Sequence, residues 1–143
     1  MSERIIVKQD HNFRTRLWGS DPQDPDSGKL IEITHLSDLS PYTMMLAGMA
    51  ICTGSVVFPY AEHHGLDVET LEIRLTYKRE EPEDREKGRY KESIEEEITF
   101  TGDLDTNQRE KLFKISHQCP ITRMYQRGIE IRSRHIEHSL TPD

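Results

Sequence analysis

Between Leu39 and Ala61 the chain carries no charged residue, although 31% of the whole sequence is charged. A stretch of that length either crosses a bilayer or lies buried in protein. Ser40, Pro41, Thr43, Gly48, Thr53, Gly54, Ser55 and Pro59 dilute its apolar content, and Glu62, His63 and His64 follow it. The nearest basic residues are Lys29 and Arg74, so no positive flank anchors it to a membrane. A buried helix is expected. Ser40 is suited to cap it, and Pro41 fits the first helical position, where a missing N–H costs nothing. Met44 through Cys52 is apolar nearly all round, which predicts burial on every side. Pro59 is expected to bend or end the helix, and Gly65 to close the segment.

One chain offers little to wrap such a helix. Hydrophobic residues make up only 34% of the 143 positions, enough for one domain over 1–143 and thin for a lone core. A homodimer is therefore expected. Basic residues number 19 against 26 acidic, a net charge of −7, which argues against nucleic acid or an anionic membrane as partner. Two cysteines are too few for a disulfide-stapled secreted scaffold, and the N-terminal residues lack an apolar signal core. A cytoplasmic location is expected, where a bridge between these thiols is redox-active more often than structural.

Around the helix the chain reads as an α+β domain in the order β-β-β-α-β-β-α-α-β. Ile5 and Val7 mark a first strand; Phe13, Thr15 and Leu17 alternate with Arg14, Arg16 and Trp18 in a second; Leu30 to His35 carries a third. After the helix, Leu71, Ile73, Leu75 and Tyr77 alternate with polar residues, and Ile94, Ile98 and Phe100 form the return strand. Between them, 12 of the 15 residues from Lys78 to Glu92 are charged, which predicts a solvated hairpin loop. Asp105 is placed to cap a helix through Leu112, Phe113 and Ile115. Cys119-Pro120 opens another that stops at Gly128, and Ile129 to Arg132 reads as a final strand before a loose tail.

Most catalytic signatures are absent: there is no phosphate loop, dinucleotide fingerprint, Gly-x-Ser-x-Gly elbow or His-Glu-x-x-His. His63-His64, His117-x-Cys119 and His135-x-x-His138 have ligand-like spacings but make no four-ligand pattern. Neither a metal nor another cofactor is expected. The thiols say more. Cys119 stands where a helix begins, and a helix N-terminus favours thiolate. Cys52 lies inside the apolar helix, where desolvation disfavours thiolate unless another segment brings a cation. Spacing alone gives no reason for the two to meet.

Ser40-Pro41, then Met45-Leu46-Ala47-Gly48-Met49-Ala50, then Cys52-Thr53 resembles the signature helix of the OsmC/Ohr family, the osmotically inducible and organic hydroperoxide resistance proteins. Cys119-Pro120-Ile121 resembles that family's second cysteine motif at a helix start. The resemblance implies an intertwined homodimer with shared sheets around two central helices. It also implies a thiol peroxidase acting on organic hydroperoxides: Cys52 is oxidised to a sulfenic acid, Cys119 closes a disulfide with it, and an external thiol or dithiol reduces the bridge. An arginine of the N-terminal strands would activate Cys52, which makes Arg16, or its same-face neighbour Arg14, the candidate. In the family a carboxylate directly after the helix proline holds that arginine; here Tyr42 stands there. A neutral phenol holds it more loosely, so slow turnover is expected, or a redox sensor or small-ligand binder on the same fold.

Overall fold

Alternation in the first ten residues sets the sheet. In the computed structural model, which describes residues 1–82, 88 and 90–142, β1 (Ser2–Asp10) buries Glu3, Ile5, Val7 and Gln9 and turns their neighbours outward. It pairs on one side with β2 (Thr15–Ser20) and on the other with β4 (Thr70–Glu80). β3 (Leu30–Glu32) and β5 (Lys91–Thr101) complete an antiparallel sheet in the order β3-β2-β1-β4-β5. Ile5 lies opposite Gly19 and Leu75, and Val7 opposite Leu17 and Ile73. That register gathers the aliphatic side chains onto one face.

α1 (Pro41–His63) lies on this face, followed after the hairpin by α2 (Thr106–Ser116) and α3 (Pro120–Arg127). Ser40 Oγ accepts the N–H of Thr43 at 3.1 Å, and Thr43 Oγ1 accepts the N–H of Ser40 at 2.9 Å. The Ser40 hydroxyl in turn donates to Glu3 Oε1 at 2.5 Å. A buried carboxylate from β1 thus stands at the positive end of the helix. Asp105 caps α2 in the same way, its Oδ1 accepting from Gln108 N–H at 2.7 Å.

Leu46, Ala50, Thr53 and Val57 pack inward from α1, each at 2% exposure or less. Burying one such Leu or Val stabilises the fold by roughly 1.5–3 kcal/mol. The opposite face stays open, with Met44 at 45%, Met45 at 50% and Ile51 at 38% exposure. Burial on every side is therefore not achieved within one chain, because a single sheet covers a single side. By length and composition α1 also meets the test for a membrane span, but its inner face is spent on its own sheet. The helix runs through Pro59 to His63 rather than ending at the proline. Val57, Phe58 and Ala61 are buried on either side, and that packing outweighs one lost hydrogen bond.

At Gly54 the missing side chain lets the Gln9 carboxamide of β1 lie against the helix; an added Cβ would meet its oxygen and push that side chain aside. Phe13 sits in the turn before β2 with φ +59 rather than in the strand, and its ring meets Phe58 edge-on at 5.5 Å. The charged hairpin is paired as far as Glu80 and Lys91; its apex at 83–87 and position 89 lie outside the described residues. The expected last strand does not form. Beyond Gly128 (φ +79) residues 129–132 run without regular structure, with Ile129 65% and Ile131 82% exposed. A strand needs a neighbour to take its backbone hydrogen bonds, and none stands beside it among the described residues.

Candidate active site

Two chain segments far apart in sequence meet where the middle of α1 touches the first turn of α3. On α1, Met49, Cys52 and Thr53 occupy one side of a single helical turn. Against them stands Cys119, the N-cap of α3, fully buried, with its Sγ donating to the Met49 carbonyl at 3.8 Å. Cys52 is half-buried, and its thiol lies close enough to Cys119 for each to shift the other's acidity. Both are free thiols. The packing of α3 on α1 brings the two sequence-predicted cysteines together.

The two sulfurs differ in acidity. Burial pushes the Cys52 thiol up, and its hydrogen bond to Cys119 pushes further, against a smaller opposing bond from the Ile121 N–H. Burial works on Cys119 in the same sense, but is outweighed by the Thr122 hydroxyl and N–H, the Cys52 thiol and Thr53. Cys119 is accordingly held below the usual thiol range. Ile121 and Thr122 both belong to the first turn of α3, so that helix end supplies the donors for the pair. The Thr122 hydroxyl contributes most to the lowering at Cys119, and the helix-end N–H of the same residue comes second.

Arg14 and Arg16 are elsewhere. β2 turns Thr15, Leu17 and Gly19 toward the buried residues Gln9, Val7 and Ile5 of β1, so Arg16 projects from the other face of the sheet, while Arg14 lies exposed in the turn before the strand. Arg16 holds Glu32 through Nε and Nη2 at 3.1 and 2.8 Å, and its guanidinium lies 4.9 Å from the Trp18 ring centroid. Neither arginine stands with the thiols of its own chain.

At Tyr42 a different arginine appears. Arg79 Nη1 donates to the Tyr42 hydroxyl at 3.3 Å, and Tyr42 stacks on Tyr77 at 4.7 Å. Sequence reasoning missed this pair, and it missed Glu3, which brings a carboxylate to the start of α1 from β1 rather than from position 42. The available signal was the strand phase: Glu3 falls in register with Ile5 and Val7, where a charge must find a partner. His63 and His64 end α1, whereas His117 caps α2 with Nδ1 2.7 Å from the Phe113 carbonyl. No three potential ligands converge on a metal position among the described residues.

Residues 34–134 match the family model described as OsmC-like protein. No curated protein matches the chain by sequence. Among solved structures, an OsmC-like hydroperoxide resistance protein from Jannaschia sp. CCS1 superposes with a TM-score of 0.61 at 13% identity, over 98% of this chain and 96% of that one. The organic hydroperoxide resistance protein OhrB of Bacillus subtilis gives 0.51 at 18% identity, over 78% and 82%. At these identities the structures establish a shared fold, a mixed α+β architecture with an antiparallel sheet.

Proposed function

Because the chain belongs to the OsmC-like protein family, we propose that it is a thiol-dependent peroxidase acting on organic hydroperoxides. Cys52 is the attacking thiol and Cys119 the resolving one. The observation that carries this reading is the pair of neighbouring free thiols with unequal access: Cys52 is half-buried and Cys119 fully buried. A peroxide reaches Cys52 first.

In the proposed cycle Cys119, the more acidic thiol, first loses to solvent the proton it directs at the Met49 carbonyl, which leaves one proton between the two sulfurs. Cys52 passes its proton to the Cys119 thiolate through their hydrogen bond and attacks the terminal peroxide oxygen. The O–O bond breaks, Cys52 becomes a sulfenic acid, and the departing alkoxide takes the proton from Cys119 to leave as alcohol. Cys119, again a thiolate, attacks the Cys52 sulfur; a disulfide forms and hydroxide leaves, taking a proton from solvent. Two external thiols, or one dithiol, then reduce the bridge and leave oxidised. The first turn of α3 stabilises the negative charge throughout. Arg16 takes no part with the thiols of its own chain; in this reading any activation it gives is to the pair of a second copy. The cell's cytoplasm is the proposed setting.

The open face of α1 and the exposed Ile129 and Ile131 support a homodimer. Light scattering is expected to report about twice the chain mass of 16.7 kDa. The functional test is to treat Cys52→Ser and Cys119→Ser separately with an organic hydroperoxide and trap sulfenic acid. Only Cys119→Ser, which keeps Cys52, is expected to accumulate it, and neither variant is expected to turn over with a dithiol. Oxidation of Cys119 in the Cys52→Ser variant, with Cys52 staying reduced in its counterpart, overturns the assignment.

A further inference from the structure

A cavity of about 510 Å³ opens between β5, the end of α2 and α3, and shares Met49 and Thr122 with the surroundings of Cys119. Its wall contains a residue that strand patterning does not explain. Ile94, Glu96, Ile98 and Phe100 share the inward phase of β5, and Glu96 lies opposite Leu75, which is fully buried. An aliphatic residue belongs in that column. Glu96 Oε2 is buried there and has no hydrogen-bond partner among the described residues. Burial holds its carboxyl above the usual carboxylate range, and His117 opposes this only in part. A buried carboxyl oxygen left without a partner is costly, and the open cavity beside it is where a donor that completes it would bind.

The rest of the lining narrows what that is. Glu92, which accepts the Tyr77 hydroxyl at 2.6 Å, brings a second carboxylate to the same wall. Tyr77 and Tyr125 supply aromatic surface, and Met49 an apolar one. Among the described residues no lysine or arginine lines the cavity, and its single imidazole, His117, stands against two carboxyl groups, so the lining favours a cation over an anion. A neutral apolar molecule fills the volume and leaves Oε2 unpaired. An alkylammonium ion satisfies both requirements: its N–H donors and charge meet Glu96 and Glu92, and its carbon body lies against the tyrosines and Met49. The volume suits a ligand of small-molecule size. We propose that this cavity binds a small organic cation, an ammonium group on a short apolar body, with Glu96 as the residue that selects for it. The inference stands independently of the peroxidase reading.

The probe is n-hexylamine as its hydrochloride, titrated calorimetrically into the full chain, with 1-hexanol and hexanoate as matched controls. Saturable binding of one amine per chain is expected, at least tenfold tighter than the alcohol, with no binding of the carboxylate. Glu96→Gln is expected to weaken the amine roughly tenfold or more, the scale of a charge-assisted hydrogen bond. Glu95→Gln, on the outward phase and paired with Lys78, is expected to leave it unchanged. Thermal unfolding followed by circular dichroism checks that both variants fold. If Glu96→Gln does not fold, the amine-over-alcohol preference of the unaltered protein decides alone. Equal affinity for amine and alcohol overturns the proposal, as does undiminished binding in a folded Glu96→Gln. So does the absence of saturable binding, including the case in which a second copy of the chain already fills the cavity.

Discussion

The two faces of α1 are made of the same kinds of residue and have opposite fates. Leu46, Ala50 and Val57 face the sheet at 2% exposure or less, while Met44, Met45 and Ile51 stand at 38–50%. Hydrophobicity does not separate them; what separates them is that β1 and β4 lie on one side only. The inner face holds the chain together, and the outer face is apolar surface of a kind that marks an interaction site. Cys52 sits on the border between the two, which is why it alone of the thiols is open to a reactant.

The sharpest way to break this comparison is to put the same charge on each face. Ala50→Asp buries a carboxylate at a fully buried position and is expected to abolish the cooperative melt. Gly48→Asp points into open space, so the chain is expected to fold and any dimer to dissociate, read by circular dichroism and light scattering. A cooperative melt for Ala50→Asp, or none for Gly48→Asp, ends the distinction. Truncation gives a finer measure. Leu46→Ala is expected to cost about 2–5 kcal/mol in urea denaturation, whereas Met45→Ala costs less than about 0.5 kcal/mol at the level of the single chain.

At the head of the helix, Ser40→Ala removes the cap and leaves the Glu3 carboxylate without its hydroxyl donor. A loss of about 1–2 kcal/mol is expected, measured by the same denaturation; a loss below about 0.3 kcal/mol shows that the cap carries no weight.

The smallest effect is at the border. Alkylation of Cys52 is expected to rise only above the usual thiol range, and to move to lower pH in Cys119→Ala, where the hydrogen bond that raises its pKa is gone. An unmoved profile means the two thiols do not interact. The stability linkage runs in opposite directions for the two sulfurs. Cys52, raised on folding, stabilises below the ordinary thiol value and loses that contribution as pH rises through its folded value. Cys119, lowered on folding, stabilises above the ordinary value and loses it as pH falls through its own.

Much of the local structure was legible because it depends on neighbours in sequence. Ser40-Pro41, Asp105 and Cys119-Pro120 mark helix starts wherever they occur, and each starts a helix here. Which face of α1 is covered was not legible, because periodicity needs polar contrast and Met44 to Cys52 has none. Arg14 and Arg16 were read as sharing a face of one strand, but the strand begins at Thr15, and which face Arg16 takes depends on the register of β2 with β1, a long-range fact. The segment Ile129–Arg132 has the residues of a strand and no neighbour among the described residues. The meeting of Cys52 with Cys119 came from family resemblance, since nothing in their spacing requires α3 to fold back on α1. Glu96 is the instructive residue, as an acidic side chain in a charged strand attracts no notice until the strand's inward phase is known.

The junction of α1 with α3 has a consequence for the lifetime of the protein. Those helices are tied now by packing and weak sulfur hydrogen bonds, and a Cys52–Cys119 bridge would fasten them through a loop of roughly 70 residues. In the chain-entropy account, closing a loop of that size restrains the unfolded ensemble by about 4 kcal/mol. In the proposed cycle, then, the molecule would be sturdiest just after meeting an oxidant and most open to proteases once its reductant has caught up. Oxidant supply would set how long each copy survives as well as how often it works.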